Sequence, residues 1–184
     1  MAKITVEIVQ DDDPIDPRED AKGNCLGTMV CWHRNYKLGE KHGYENPTAF
    51  EEEWKGKALI LPVFLYDHSG ITINTTGFSC PWDSGQVGYI YASHAKIAEE
   101  YGKVDETTLE KARKVLVSEV EIYDQYLRGD VYGYVVTKIT RCKECARDEK
   151  EVVDSCFGYF GYDHKKNGLL DSIPKKYRKY LKEA

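Results

Sequence analysis

Long hydrophobic runs are missing from this chain. The longest apolar stretch, Ala58 to Tyr66, is interrupted by Pro62, and the first ten residues, MAKITVEIVQ, hold nothing resembling a leader or a membrane span. A cytosolic setting is the expectation. A strong charge of either sign is also missing. The 26 Lys and Arg stand against 31 Asp and Glu, a net of −5, which excludes a generic basic nucleic-acid binder and falls short of a polyanionic DNA mimic. There is no internal repeat, no low-complexity tract and no phosphate-loop glycine spacing. Cysteine is modest at six, and in a reducing cytosol these residues are expected as thiols rather than a disulfide framework.

What is present is tyrosine: 14, against 5 Phe and 3 Trp. A buried phenol needs a hydrogen-bond partner, and an exposed one makes an adhesive surface. The 41% hydrophobic fraction is enough for a core, and 184 residues suit one domain rather than two full-sized ones. The chain is therefore read as a single domain over 1–184. It would carry an acidic loop at about 11–23 and a basic C-terminal helix at about 173–182.

The pattern of residues predicts α+β. Ile4, Val6 and Ile8 alternate with polar neighbours as in a half-buried strand. Leu26–His33, Ala58–Tyr66, Ile71–Asn74, Gln86–Tyr91, Val131–Ile139 and Glu151–Tyr159 read as further strands, and Pro47–Trp54 as a short helix. Pro62 lacks an N–H, which places its strand at an edge or a bulge. The clearest helix is about 105–128, where Leu109, Ala112, Leu116, Val120, Tyr123 and Leu127 form one stripe. Thr107 and Glu110 have capping-box spacing there, and Gly129 marks the stop. Ile173, Tyr177 and Leu181 suggest the terminal helix, with Pro174 in its first turn. The expectation is a mainly antiparallel sheet covered by one long helix.

Several constellations carry possible chemistry. Cys142-x-x-Cys145 has the spacing of half a zinc site, and Cys156 with His164 would complete a tetrahedron. The plain alternative is a hairpin loop with two thiols, and no metal or other cofactor is assigned. Cys80, Asp83, His68 and His94 contain the residue types of a nucleophile system, but Cys80 precedes Pro81 rather than a helix start that would lower its pKa. The plain alternative is a structured loop in which Trp82 packs. Tyr132, Tyr134, Tyr159 and Tyr162, in Gly-Tyr alternations, would form an aromatic binding face. The basic terminus supplies Lys175, Lys176, Arg178 and Lys179, together with Lys165, Lys166 and Lys182, for accessory contact with a phosphate backbone. Residues 1–20 carry a net −5, and Asp11, Asp12 and Asp13 within them would steer the chain toward a basic protein groove.

Four segments point further: LGTMVCWHRNYKLGEKH (26–42), LPVFLYDHSGITINTTGFSCPWDSGQVGYIY (61–91), YDQYLRGDVYGYVV (123–136) and DSCFGYFGYD (154–163). Together they resemble a family of small proteins encoded by bacterial viruses and mobile elements, similar to type II-A anti-CRISPR proteins, which inhibit Cas9. The block Tyr66–Tyr91 carries most of the resemblance, and the C-x-x-C between the last two strands departs from it. The resemblance implies a non-enzymatic counter-defence protein that binds Cas9, with or without guide RNA, and blocks target DNA binding or cleavage. It brings no catalytic motif, membrane or small-molecule substrate. On this view Asp11–Asp13 govern encounter, while Trp82 and the tyrosines supply the contacts that slow dissociation. The residues by themselves leave two alternatives: a Cys- or zinc-dependent enzyme, and a virus-encoded DNA-binding regulator.

Overall fold

The computed structural model describes residues 2–20, 24–142 and 145–181. It is α+β, with two antiparallel sheets where one was expected. The chain forms two compact units. One comprises residues 16–128, and the other joins residues 1–15 to 129–184.

In the continuous unit, helix α1 (Pro17–Asp20) precedes strand β2 (Thr28–Cys31) and helix α2 (Pro47–Trp54). Strands β3 (Ala58–Asp67), β4 (Ile71–Asn74) and β5 (Ser84–Ser93) follow, then helices α3 (His94–Tyr101) and α4 (Glu106–Leu127). The strand order is β2-β5-β3-β4. Alternation on β3 buries Leu59, Leu61, Val63 and Leu65, and these pack with Ile90, Ala92, Leu116, Val120 and Tyr123 in one core. Pro62 sits where β3 is paired with β5 alone, because β4 begins its pairing at Phe64, and the register shifts between Val63 and Phe64. Edge and bulge therefore occur together at the proline, on a strand that is otherwise interior. Phe50 of α2 is buried in a second cluster of rings, stacked on Tyr89 and edge-on to Tyr91 and Trp32. Gly88 permits the close approach of β2 to β5: a Cβ there would lie 2.1 Å from the Val30 carbonyl oxygen.

Helix α4 is capped two residues earlier than Thr107 and Glu110 suggested. The Asp105 carboxylate accepts the Thr108 N–H at 2.9 Å, and Thr108 Oγ1 accepts the Asp105 N–H at 2.9 Å. Asp105 is extended and stands just before the first helical residue, which is the geometry an N-cap requires. Helix α3 was missed as an element. Its signals were Ser93, whose hydroxyl accepts the Lys96 N–H, and Gly102, left-handed at φ 80°.

The segment read as an acidic loop holds α1 and a buried cation. Residues 21–23 of it lie outside the described residues. Arg18 is 4% exposed and pairs with Glu40 and Glu119, and its guanidinium also donates to the Gly27 carbonyl. Glu119 accepts the Leu26 and Gly27 N–H groups, and Glu40 accepts that of Met29. Burial works against the Arg18 charge, but Glu40 and then Glu119 outweigh it and hold the pKa above the usual arginine value.

In the other unit, strand β1 (Lys3–Gln10) pairs with β6 (Val131–Arg141), and β6 with β7 (Asp148–Phe160). Val6, Tyr134 and Val136 form its core with Leu169 and Ile173. The expected helix over 173–182 is reduced to one four-residue turn, α6 (Lys175–Arg178), and a second short turn, α5 (Leu169–Ser172), precedes that segment. They are separated because Ile173 and Pro174 are extended, with ψ of 123° and 134°. Leu181 bridges to Val6, and Lys182 lies outside the described residues.

Candidate binding cleft

Three chain segments of the 16–128 unit meet at one end of its sheet. The first is Asp67-His68-Ser69-Gly70, the tight turn between β3 and β4, where Ser69 takes φ 59° and the His68 N–H bonds the Gly70 carbonyl. The second is Phe78–Asp83, which leads into β5 and is tied to the turn by the Asp67 N–H donating to the Asp83 carbonyl at 2.8 Å. The third is His33–Tyr36, beyond β2. His33 Nδ1 accepts the N–H groups of Asn35 and Tyr36, and its ring stacks on Tyr36 at 5.0 Å.

Two carboxylates are set by these segments. Tyr36 donates its hydroxyl to Asp67 Oδ2 at 2.9 Å, and this bond raises the Tyr36 pKa. His68 Nδ1 lies 3.5 Å from Asp83 Oδ2, and the Cys80 thiol donates to the same oxygen at 3.6 Å. His68 is stacked on Tyr66, which also touches Phe78. Beside them is a cleft of about 360 Å³ lined by His33, Leu65, Asp67, Trp82, Asp83, Ser84, Gly85 and Val87. Trp82 stands at its rim and is 89% exposed, so it does not pack as a structured-loop tryptophan would.

Of the proposed nucleophile set, Cys80, Asp83 and His68 are brought together, with the carboxylate between thiol and imidazole. His94 is not: Ser93 pairs with Ala58 while Ser84 pairs with Tyr66, at opposite ends of the β3–β5 ladder. The zinc tetrahedron is excluded by register. Cys142 and Cys145 sit at the β6–β7 hairpin, next to the Arg141–Asp148 pair. Cys156 pairs with Tyr134, eight residues further along β7 from Asp148, about 26 Å away at strand rise. His164 contacts Tyr132 near the other end of β6. Among the described residues no group of three or more His, Cys, Asp or Glu is placed to hold a metal ion.

The aromatic face on β6 and β7 is corrected in the same way. Tyr134 is buried, its hydroxyl donating to Asp154 Oδ1 at 3.2 Å, because its strand position faces Leu169 and Ile173. Tyr132 and Tyr159 are half-buried against that core, and Tyr162 alone of the four is exposed, at 75%. Asp12 and Asp13 are exposed, and Asp11 is half-buried with its N–H bonded to the Val131 carbonyl. Lys175, Lys176 and Lys179 are exposed around α6. Arg178 turns back instead, donating to the Ile173 and Asp171 carbonyls and so closing the end of α5. The cleft residues that the sequence reading missed are Asp67, Tyr36 and His33. Asp67-His68-Ser69-Gly70 has the composition of a tight turn, and nothing in the spacing signals that Tyr36 reaches Asp67.

Comparison with models of known families, with curated proteins and with solved structures returns no match.

Proposed function

We propose that this chain is a non-enzymatic counter-defence protein that works by binding, with Cas9, alone or with its guide RNA, as the partner. The blocked step is target DNA binding or cleavage. The observation that carries a binding role is Trp82, 89% exposed beside two pre-set carboxylates. Tryptophan is enriched among contact hot spots, and an exposed indole beside paired acids has both an apolar and a charged element to offer a partner. Charge supports a basic partner. The 16–128 unit holds 18 acidic against 13 basic residues, whereas residues 1–15 and 129–184 hold 13 of each. The whole net −5 thus belongs to the unit that bears the cleft. Cas9, built around positively charged channels, fits that requirement, and the sequence resemblance supplies it as the target.

The test is cleavage of a target duplex by purified Cas9 and guide after preincubation with the protein. Inhibition near stoichiometric ratio is expected, weakened at least about tenfold by Trp82→Ala, a hot-spot loss. Full cleavage by several Cas9 orthologues at large excess of the protein would remove Cas9 as the partner.

One observation favours a second reading, a Cys-dependent enzyme: Cys80 and His68 share Asp83 Oδ2. Under the binding reading Cys80→Ala weakens inhibition only slightly, because His68 still contacts Asp83 Oδ2; under the enzyme reading it abolishes function in a folded protein.

A further inference from the structure

We propose that the Trp82 cleft takes an arginine side chain of the partner, with the guanidinium lying against the indole and paired to Asp67 and Asp83. The inference deepens the binding reading and rests on it, but not on the identity of the partner as Cas9.

The argument begins with what the cleft already has. Among the described residues, the contacts to both carboxylates fall on Oδ2: Tyr36 on Asp67, and His68 with Cys80 on Asp83. Each acid is thereby held in place with Oδ1 left to accept from outside. The backbone bond from Asp67 N–H to the Asp83 carbonyl ties the two residues' main chains side by side. Such a pair is pre-ordered, so little side-chain entropy is lost on binding. Both acids are solvent-accessible, Asp83 with 42% of its side chain exposed, so a partner can reach them.

The chemistry of the occupant follows by elimination. An apolar side chain would cover two carboxylates without pairing them, a net cost. A metal ion needs a third donor, and no such set exists among the described residues. A cation that is also flat satisfies all three elements of the site: it stacks on the indole and presents several N–H donors to two separate acceptors. An ammonium is a compact, strongly hydrated point charge and spans two acceptors less well. The acidic excess of the 16–128 unit adds long-range attraction for a basic segment.

The test uses the full chain with uniform ¹⁵N labelling and a short peptide, acetyl-Gly-Arg-Gly-Arg-Gly-amide. The Trp82 indole N–H is assigned by its disappearance in Trp82→Phe. Titration to about 10 mM peptide, a range suited to one or two contacts, is expected to shift that resonance to saturation. The matching citrulline peptide, equal in shape but uncharged, is expected to leave it unmoved, and the lysine peptide to bind more weakly. Asp67→Asn with Asp83→Asn is expected to weaken the arginine peptide at least about fivefold. Should that double variant fail to fold, the native protein still decides, because raising the salt must weaken the shift. Equal shifts with citrulline, a shift insensitive to salt, or no shift at all would each overturn the proposal. The two levels separate cleanly. A peptide that binds while Cas9 is not inhibited leaves the site standing without that target. Inhibition that survives with no response to the peptide places the contact elsewhere.

Discussion

Arg18 shows how one residue can reverse the reading of a segment. It lies in a stretch of acids with the composition of an acidic loop, yet it is nearly inaccessible and braced by Glu40, Glu119 and the Gly27 carbonyl. Removing it leaves two largely enclosed carboxylates without their cation. Arg18→Ala is expected to cost about 3–5 kcal/mol, measured as a drop in the urea midpoint of the 16–128 unit. The buried phenols make a second residue-scale prediction. Burial pushes Tyr123 up to about 12, and burial followed by Asp154 pushes Tyr134 up to about 12. A phenol whose folded pKa exceeds its unfolded value, roughly 10, favours the folded state below pH 10. That contribution is lost as pH rises from about 10 toward 12. Stability to urea is therefore expected to fall between about pH 10 and about pH 12, and absorbance at alkaline pH is expected to show a late-ionising set of tyrosines.

At the scale of elements, stripe and cap proved separable. The α4 stripe predicted from Ala112, Leu116, Val120 and Tyr123 is the buried face of the helix. The cap belongs to Asp105, whose carboxyl is held down to about 2 by Lys103 and by the Thr108 N–H. Asp105→Ala is expected to lower the melting temperature, with helicity lost first at the start of α4 as followed by amide exchange. Because the folded pKa is depressed, the cap's contribution is present above pH 4 and fades as pH falls toward 2. The C-terminal helix illustrates the opposite outcome. Ile173, Tyr177 and Leu181 recur at steps of four and do join the core or its margin, but extended backbone at Ile173 and Pro174 divides the segment. Periodicity recorded which side chains face inward and not the backbone that delivers them.

At the scale of the molecule, the chain order has a consequence for folding. The 16–128 unit is one continuous segment with its own core, inserted between the two pieces of the other unit. A fragment of residues 16–128 is expected to fold alone, giving a cooperative urea transition by circular dichroism. Residues 129–184 alone are expected to remain unfolded, because β1 supplies Val6 to their core and the partner ladder to β6. The same partition relocates the charge. Asp11, Asp12 and Asp13 stand in a unit whose basic and acidic residues balance, and the net −5 is carried by the other.

By itself the sequence determined whatever depends on near neighbours. Alternation on β1 and β3, the α4 stripe, the hairpin turn at Asp67–Gly70 and the constraint imposed by Pro62 are local regularities of backbone and side chain. Only the tertiary structure decided which distant residues share a surface. Tyr134 and Tyr162 look alike in the sequence, but the first lies on β6 facing Leu169 and Ile173 and is buried, whereas the second follows the end of β7 and is exposed. Cys142 and Cys156 differ in place because antiparallel register sets them far apart along the ladder. Asp67, Asp83, Tyr36 and Trp82 come together because three separate connections converge at one end of a sheet. Their meeting rests on pairing between β2, β5 and β3, which no short window of residues contains.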